Sequence, residues 1–223
     1  MTSEPSMCRK TRILIVDDHP LIRGGLVELV GRQQDMAVCG EAASGREALD
    51  FAKKLDPDLI VLDLTLGDMD GMDVIHALRA EHSRSVILVL SKSEEAIYAE
   101  RALRAGANGY VMKHERLQTV LVALRRVRDG GVFLSERMQS RVMSQLVGKK
   151  KVAYAPTADS LSDRELQVIE MIGRGMGASQ IAKQLHLSVK TVDSHRARIK
   201  TKFGLKTAAD LRQFAIAWRQ GRG

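Results

Sequence analysis

The stretch DLIVLDLTLGDMDG, residues 58–71, decides how the first half of the chain folds. Its apolar run, 59–62, stops at Asp63 and passes into a turn rich in Gly and Asp. So continuous an apolar run is typical of a strand buried on both faces, as in a parallel sheet covered by helices. The carboxylate at its end has two interpretations. It either accepts hydrogen bonds within a turn or is a reactive group at the sheet edge.

Similar apolar runs alternate with amphipathic stretches throughout residues 12–128. The predicted strands are 12–16, 36–40, 59–62, 86–90 and 109–112, and the predicted helices begin near Pro20, Ser44, Gly71, Glu94 and Leu117. In the last of these helices one apolar face is expected to be buried, formed by Leu117, Val120, Leu121, Leu124 and Val127. Five βα units predict an α/β doubly wound, five-stranded parallel sheet of the flavodoxin-like type.

Charge is distributed unevenly along the 223 residues. From Lys149 onward, 15 Lys and Arg stand against 6 Asp and Glu, a net charge of +9, whereas the preceding residues hold 20 against 21, a net charge of −1. An excess of positive charge confined to one part of a chain indicates a module that binds a polyanion. Nucleic acid is therefore a candidate partner of the last third.

Composition also predicts domain boundaries. We expect a first domain at 10–130, a helix and linker at 131–160, and an all-helical domain at 161–223. The segment GKKKVAYAPTADS, 148–160, has the lysines, proline and small polar residues of a linker. The N-terminal residues lack the apolar core of a signal peptide, and no apolar run reaches membrane-spanning length. We therefore expect a cytoplasmic protein with no membrane partner.

Chemically active side chains stand at or near the ends of four predicted strands. Because the carboxyl ends of parallel strands share one edge of the sheet, these residues should converge there: Asp17, Asp18, Asp63, Ser91, Tyr110 and Lys113. Crowded carboxylates repel one another unless a proton or a cation relieves them. Mg²⁺ prefers oxygen ligands and leaves coordination positions for a phosphate group, and a nearby lysine and hydroxyl suit phosphoryl transfer.

These motifs, VDDH, VLDL, VLSK and YVMK in order, resemble the receiver domains of bacterial two-component response regulators. The resemblance implies that Asp63 accepts a phosphoryl group from a sensor histidine kinase. It implies that Asp17, Asp18, Asp63 and the backbone carbonyl of Thr65 hold Mg²⁺. It also implies that Ser91 and Lys113 contact the phosphoryl group, and that Tyr110 turns inward when Ser91 moves. Gly67 and Lys92 depart from the family pattern, which usually has proline and a small residue there.

The sequence pattern of the last third of the chain predicts a helix-turn-helix unit. Helices are expected after Ser162, near Ala178 and after Ser188, and a fourth at 207–218. In the third, Val192, Ile199 and Phe203 share one face and should be buried. The opposite face is small and polar, as base edges in a major groove require.

This segment resembles the DNA-binding domain of NarL/FixJ/LuxR-type regulators through LSDREL, IAKQLHLS and KTVDSHRARIKTKFGL. The resemblance implies base contacts from Asp193, Ser194 and Ala197. We also expect contacts to double-stranded DNA from the flanking residues of the same helix, whose cations can neutralise phosphates: Lys190, Thr191, Arg198, Lys200 and Lys202. Asp193 is unusual there, because it repels phosphates but could accept from a cytosine amino group. The resemblance further implies a homodimer of the phosphorylated chain, with contacts from Leu211, Phe214, Ala215 and Trp218.

We therefore predict a phosphorylation-controlled transcription regulator, not an enzyme. One alternative is a DNA-binding regulator whose first domain senses a partner or a ligand without phosphorylation. Another is a phosphohydrolase with an aspartyl nucleophile. Enzymes of the haloacid dehalogenase type carry a second Asp two residues after the nucleophile, where this chain has Thr65.

Overall fold

The computed structural model describes residues 9–81, 83–93, 95–146 and 161–220. The chain divides into two compact units, Met1–Val147 and Gly148–Gly223. The predicted linker, 148–160, lies outside the described residues, and the boundaries proposed from composition stay predictions. Within the described residues no helix is both long enough and apolar enough to cross a bilayer.

The first unit is a five-stranded parallel sheet covered by helices. The predicted doubly wound α/β fold is confirmed. Its elements are β1 Thr11–Val16, α1 Pro20–Gly31, β2 Met36–Ala42, α2 Gly45–Leu55, β3 Leu59–Leu62, α3 Gly71–Ala80, β4 Val86–Ser91, α4 Glu95–Ala105, β5 Gly109–Met112, α5 Leu117–Arg128 and α6 Glu136–Leu146.

The two central strands bring distant carboxylates together. In the strand order β2-β1-β3-β4-β5, β1 and β3 are adjacent, and Val16 pairs in register with Leu62. Asp63, the first residue after β3, donates its backbone N–H to the carbonyl of Val16 over 2.9 Å. Asp17 and Asp63 therefore leave neighbouring strands side by side. All four residues of β3 are buried, as the apolar run predicts.

Three features differ from the prediction. β2 continues to Ala42, and its pairing with β1 shifts register between Ile13 and Leu14. β4 continues through Ser91, which is therefore part of the strand rather than beyond it. Leu117 is 57% exposed, while the other four predicted apolar positions of α5 are buried. Leu117 is the first residue of its helix, where the packing against the sheet has not yet begun.

α6 is fixed to the sheet and to α4 by its leading segment. Phe133 accepts the N–H of Tyr110 over 2.9 Å and donates its own N–H to Asn108 over 3.2 Å, which extends the sheet edge beside β5. Ser135 Oγ accepts the N–H of Met138 over 3.2 Å, which caps the first turn of α6. The carboxylate of Glu95, in the first turn of α4, accepts both the N–H of Ser135, over 2.8 Å, and its hydroxyl.

The second unit consists of four helices: α7 Asp163–Gly173, α8 Ala178–Gln184, α9 Val189–Phe203 and α10 Ala208–Gln220. A capping box joins Ser162 and Glu165 at the start of α7, as the sequence predicts. α9 begins at its N-cap Ser188 and ends at Gly204, whose φ of 65° is the left-handed conformation that glycine adopts readily. Val192 and Ile199 are fully buried, and the rings of Phe203 and Phe214 lie 4.6 Å apart.

Candidate functional site

The carboxyl edge of the sheet holds a buried acidic pocket. Asp17 and Asp63 are 1% and 2% exposed. The ammonium of Lys113, placed just after β5, lies 2.6 Å from Asp17 Oδ2 and 2.7 Å from Asp63 Oδ2. The sheet therefore brings these three predicted residues together, and Lys113 lies between the two carboxylates.

The electrostatics of the pocket make the ionised form of Asp63 less favourable than that of an ordinary aspartate. Burial raises the pKa of Asp63 to about 6, although the charge and the hydrogen bond of Lys113 oppose the rise. A buried anion is unfavourable because it loses its hydration. The pocket is therefore short of positive charge when all its carboxylates are ionised.

The donor set fits a hard divalent cation. One ligand atom from each of Asp17, Asp18, His19 and Asp63 lies within 4.8 Å of the others. Asp63 Oδ1 is buried and makes no hydrogen bond to the described residues, although the N–H of Thr65 is near enough to favour the charged form. Carboxylate oxygens in this number suit Mg²⁺. The three predicted carboxylate ligands thus lie together and could hold a metal ion.

Sequence reasoning missed one residue at the rim of this pocket, His19, and the contact that it makes with Lys92. His19 Nδ1 lies 2.5 Å from Asp18 Oδ1 and 3.3 Å from Asp17 Oδ1. Its other nitrogen, Nε2, lies 3.3 Å from the ammonium of Lys92. His19 stands in the VDDH motif, but adjacency to two aspartates alone did not assign it a role. The contact with Lys92 joins residues 73 apart and has no local sequence signal.

The loop after Asp63 is held tightly despite Gly67. Thr65 pairs with Asp70 in an antiparallel bridge, and the carboxylate of Asp70 caps α3. Asp68 accepts the N–H groups of Gly45 and Arg46 over 2.7 and 3.0 Å. Burial alone would raise the pKa of Asp68, but these backbone donors outweigh it, so the pKa lies below its ordinary value. The loop that carries Thr65 is therefore anchored to the start of α2.

Gly71 is required by a close approach at the end of the same loop. A Cβ at this position would lie 2.5 Å from the carbonyl oxygen of Asp63 and 2.5 Å from the Cα of Leu64. Because both neighbours are backbone atoms, neither can move aside without displacing the loop. Gly71 thus lets α3 begin directly against the segment that positions Asp63.

Ser91 and Tyr110 lie on adjacent strands, and both are fully buried. Ser91 Oγ accepts the N–H of Ser93 over 3.2 Å. The hydroxyl of Tyr110 donates to the carbonyl of Ser93 over 2.7 Å. The ring of Tyr110 is thus already inside the protein, so the inward rotation expected of it has no exposed starting position in this conformation.

Family comparisons agree with both units. Residues 13–125 match the model of the response regulator receiver domain, and residues 159–215 match that of bacterial regulatory proteins of the luxR family. The chain is a response regulator with a LuxR-type DNA-binding domain. Members of this family are transcription regulators that combine a receiver domain with a LuxR-type DNA-binding domain in one chain.

Relatives match the response regulator along nearly its whole length. A candidate transcriptional regulator of Pseudomonas aeruginosa is 37% identical over 205 residues, which is 92% of this chain and 97% of that protein. The oxygen regulatory protein NreC of Staphylococcus aureus is 32% identical, over 92% of this chain and 96% of its own length. Among solved structures, a LuxR-family two-component response regulator from Aurantimonas sp. SI85-9A1 is 30% identical with a TM-score of 0.58, covering 62% of this chain and 99% of that one.

In the LuxR-type domain, α9 presents most of the predicted DNA contacts to solvent. Thr191 and Lys200 are partly buried, whereas the other six are exposed: Lys190, Asp193, Ser194, Ala197, Arg198 and Lys202. Two hydroxyls on this helix bond back to its own backbone. Ser194 Oγ donates to the carbonyl of Lys190 over 3.0 Å, and Thr201 Oγ1 donates to that of Ala197 over 3.1 Å.

Two charged side chains of α9 have partners within the domain. Lys202 lies 2.6 Å from the carboxylate of Glu165, which is buried at the start of α7. Lys202 therefore ties α9 to α7, in addition to any contact that it makes with DNA. Arg196 Nη1 lies 3.0 Å from Asp193 Oδ1, one turn earlier on α9. This pair accounts for Arg196, to which the sequence assigned no role.

Of the four predicted dimer contacts, two lie inside the domain's own core. Leu211 and Ala215 are 1% and 0% exposed. Phe214 and Trp218 keep partly exposed surface and pack with Phe203 in an aromatic cluster whose centroids lie 4.6–5.9 Å apart. Of these four predicted residues, Phe214 and Trp218 are therefore the two whose surface is open to a dimer contact.

Proposed function

We propose that Asp63 is phosphorylated by a sensor histidine kinase in the presence of Mg²⁺, and that phosphorylation controls dimerisation and promoter binding in the cytoplasm. The observation that carries this proposal is the buried triad of Asp17, Asp63 and Lys113. A carboxylate that is surrounded by two further acidic residues and a lysine has the groups that phosphoryl transfer requires. No covalent chemistry beyond an aspartyl phosphate is needed.

The transfer step is a displacement at phosphorus. A carboxylate oxygen of Asp63 forms the new O–P bond while the P–N bond of the phosphohistidine breaks, and the histidine nitrogen keeps the electron pair and takes up a proton. Lys113 donates hydrogen bonds to the phosphoryl oxygens, and the hydroxyl of Ser91 donates another. Mg²⁺ would be held by Asp17, Asp18, Asp63 and the carbonyl of Thr65. It would supply positive charge that offsets the negative charge of the phosphoryl oxygens.

A chain of hydrogen bonds supports coupling between the pocket and α6. Ser91 contacts Ser93, and Ser93 contacts the hydroxyl of Tyr110. The backbone of Tyr110 in turn bonds Phe133, two residues before the Ser135 cap that Glu95 holds. A movement of Ser91 toward a phosphoryl group would therefore disturb the segment that leads toward the second unit.

One observation favours the alternative of a regulator that acts without phosphorylation. Tyr110 is buried, and its hydroxyl donates to the carbonyl of Ser93, so the ring needs no rotation to become internal. If this arrangement is the DNA-binding one, the unmodified chain would bind its promoter. The two functions therefore differ in whether phosphorylation changes DNA affinity.

The test is intact-protein mass spectrometry of the full chain after incubation with Mg²⁺ and acetyl phosphate. Wild type should gain one phosphoryl mass, and Asp63→Asn should gain none. Asp50→Asn, which removes an exposed carboxylate on α2, is the matched control and should be modified like wild type. DNA affinity of wild type and Asp63→Asn is then measured with and without the phosphodonor.

Modification of Asp63→Asn to the same extent as wild type would place the acceptor elsewhere. If wild type folds yet accepts a phosphoryl group neither from acetyl phosphate nor from a phosphohistidine donor, the phosphorylation-independent function takes precedence. Equal promoter affinity of modified and unmodified wild type would leave Asp63 as an acceptor but remove it as the switch.

A further inference from the structure

The recognition helix α9 carries one acidic residue, Asp193, among five Lys and Arg. Its carboxylate is exposed and lies 3.0 Å from Arg196 Nη1. An exposed ion pair of this spacing contributes little to stability, and a carboxylate on this surface repels the phosphates of DNA. The pair is therefore better explained by what it does to the direction of Arg196 than by what it adds to folding.

The position of the guanidinium follows from helix geometry. A long side chain on a helix covers the turn that precedes its own Cα, and Asp193 is three residues before Arg196. The guanidinium consequently lies beside the exposed carboxylate of Asp193, in the first half of α9, although Arg196 itself is partly buried. In helix-turn-helix proteins the first residues of the recognition helix approach the base edges.

Ala197 and Ser194, which lie near Arg196 on this helix, offer guanine no free side-chain donor. Ala197 has no polar atom beyond the backbone. The hydroxyl proton of Ser194 is already donated to the carbonyl of Lys190. A guanidinium presents several N–H donors in a fixed fork, so Arg196 can donate two parallel hydrogen bonds while Nη1 stays with Asp193.

We propose that Arg196, held by Asp193, reads a guanine through its O6 and N7 atoms in the major groove, and that Asp193 is a positioning residue rather than the reader of a base. A guanidinium matches the O6 and N7 acceptors of guanine in a bidentate manner. The inference rests on sequence-specific DNA binding by the proposed regulator. It assigns the specificity at one base pair to a residue outside the set of DNA contacts predicted from the sequence.

The test is selection of bound sequences from double-stranded oligonucleotides with a randomised centre, using the full chain with acetyl phosphate and Mg²⁺ and without them. Wild type is compared with Asp193→Ala, Arg196→Ala and Arg196→Lys. Arg198→Ala, which removes an exposed arginine two residues further along α9, is the matched control. The fluorescence of Trp218 during thermal unfolding checks that each variant folds.

Arg196→Ala should reduce the preference for guanine at one position about 5- to 150-fold. Asp193→Ala should reduce it at the same position, and Arg196→Lys should not restore it, because an ammonium cannot reproduce the fork. Arg198→Ala should weaken binding to all sequences similarly. A base preference is not altered by a residue that only stabilises the helix, so this readout separates positioning from folding.

Four outcomes overturn the inference. An unchanged preference in Arg196→Ala, while wild type selects a clear motif, excludes Arg196 as the reader and leaves the proposed function intact. A change in Asp193→Ala without one in Arg196→Ala makes Asp193 itself the reader. A change in Arg196→Ala without one in Asp193→Ala removes the positioning role. If wild type selects no motif in either state, sequence-specific binding fails, and the inference fails with it.

Discussion

The acidic pocket and the recognition helix are built in opposite ways. The pocket gathers side chains from three strand ends, and Asp17, Asp63 and Lys113 are each 3% exposed or less. The helix α9 presents its charged residues along one continuous element, mostly in contact with solvent. Charges in the pocket interact through protein, whereas those on α9 are screened by water and salt. Substitutions should therefore have large and interdependent effects in the pocket and small, separable effects on the helix.

The largest effect is expected from Lys113→Ala. Removal of one partner from a buried ion pair leaves uncompensated charge, which costs about 3–5 kcal/mol. We expect the free energy of unfolding of the first unit to fall by this amount near pH 7 in EDTA, as followed by far-ultraviolet circular dichroism in urea. The exposed pair of Lys53 and Glu81, at 2.8 Å, provides the control, and Lys53→Ala should leave stability nearly unchanged. A similar loss of unfolding free energy in both variants would contradict the contrast between buried and exposed ion pairs.

The second effect is a dependence on pH that Asp63 imposes. Its pKa of about 6 is above the ordinary value of 3.8, so the folded state binds the proton more tightly than the unfolded state does. Stability is therefore highest when Asp63 is protonated and falls as the pH rises from about 4 to about 6, by about 3 kcal/mol in the absence of metal. Asp63→Asn should remove this dependence in urea unfolding with EDTA. An Asp63→Asn profile parallel to wild type would exclude Asp63 as its source.

The stability of the second unit should depend on pH in the opposite direction, because of a histidine. Burial lowers the pKa of His195 on α9, and the charge of Arg198 lowers it further. The unfolded chain then takes up a proton that the folded unit does not, so stability falls as the pH falls through the ordinary histidine value. Trp218, the chain's single tryptophan, reports this unit selectively by fluorescence. Loss of stability on acidification in the second unit, and gain in the first, would sharpen the contrast.

Gly71→Ala should have an intermediate effect. A Cβ would press on the carbonyl of Asp63 and on Leu64, and such overpacking costs about 1–3 kcal/mol. Because the loop would shift, phosphorylation of Asp63 by acetyl phosphate should also slow. Gly24→Ala is the control: it lies in α1 with no atom within 4 Å of the new Cβ, and it should stabilise the unit by about 0.4–1 kcal/mol. Equal phosphorylation rates in the two variants would show that this close approach does not position Asp63.

The helices and strands of both units were predictable because short, local sequence patterns determine them. Apolar runs predicted the bounds of β3 and β5 correctly, and the pairing of Ser162 with Glu165 predicted the start of α7. The order of the strands then brings Asp17, Asp63 and Lys113 together with no further information. The extension of β2 to Ala42 was missed because Glu41 interrupts the apolar pattern, although Glu41 and Ala42 both pair with β1.

Side-chain partners were not predictable from the same patterns. The contact of His19 with Lys92 and that of Lys202 with Glu165 join residues 73 and 37 apart, and only the folded chain brings them together. The side chain of Arg196 reaches back along α9 to Asp193, a direction that the sequence pattern does not indicate. The sequence therefore predicted the position of the acidic pocket but not the contact of His19 with Lys92 at its rim. It likewise predicted α9 but not the direction of the Arg196 side chain.

The smallest effect, that of Lys202→Ala, separates a structural lysine from one that contacts phosphate. Glu165 keeps the N–H of Ser162 at 2.8 Å when Lys202 is removed, and Lys202 is 38% exposed, so the loss of stability should be about 1 kcal/mol. A lysine engaged with Glu165 releases no counterion from DNA. The slope of log affinity against log salt should therefore stay unchanged in Lys202→Ala, whereas Arg198→Ala should reduce it by about 0.9. A reduced slope in Lys202→Ala would mean that Lys202 leaves Glu165 on binding, and that even this part of α9 reorganises when it meets a polyanion.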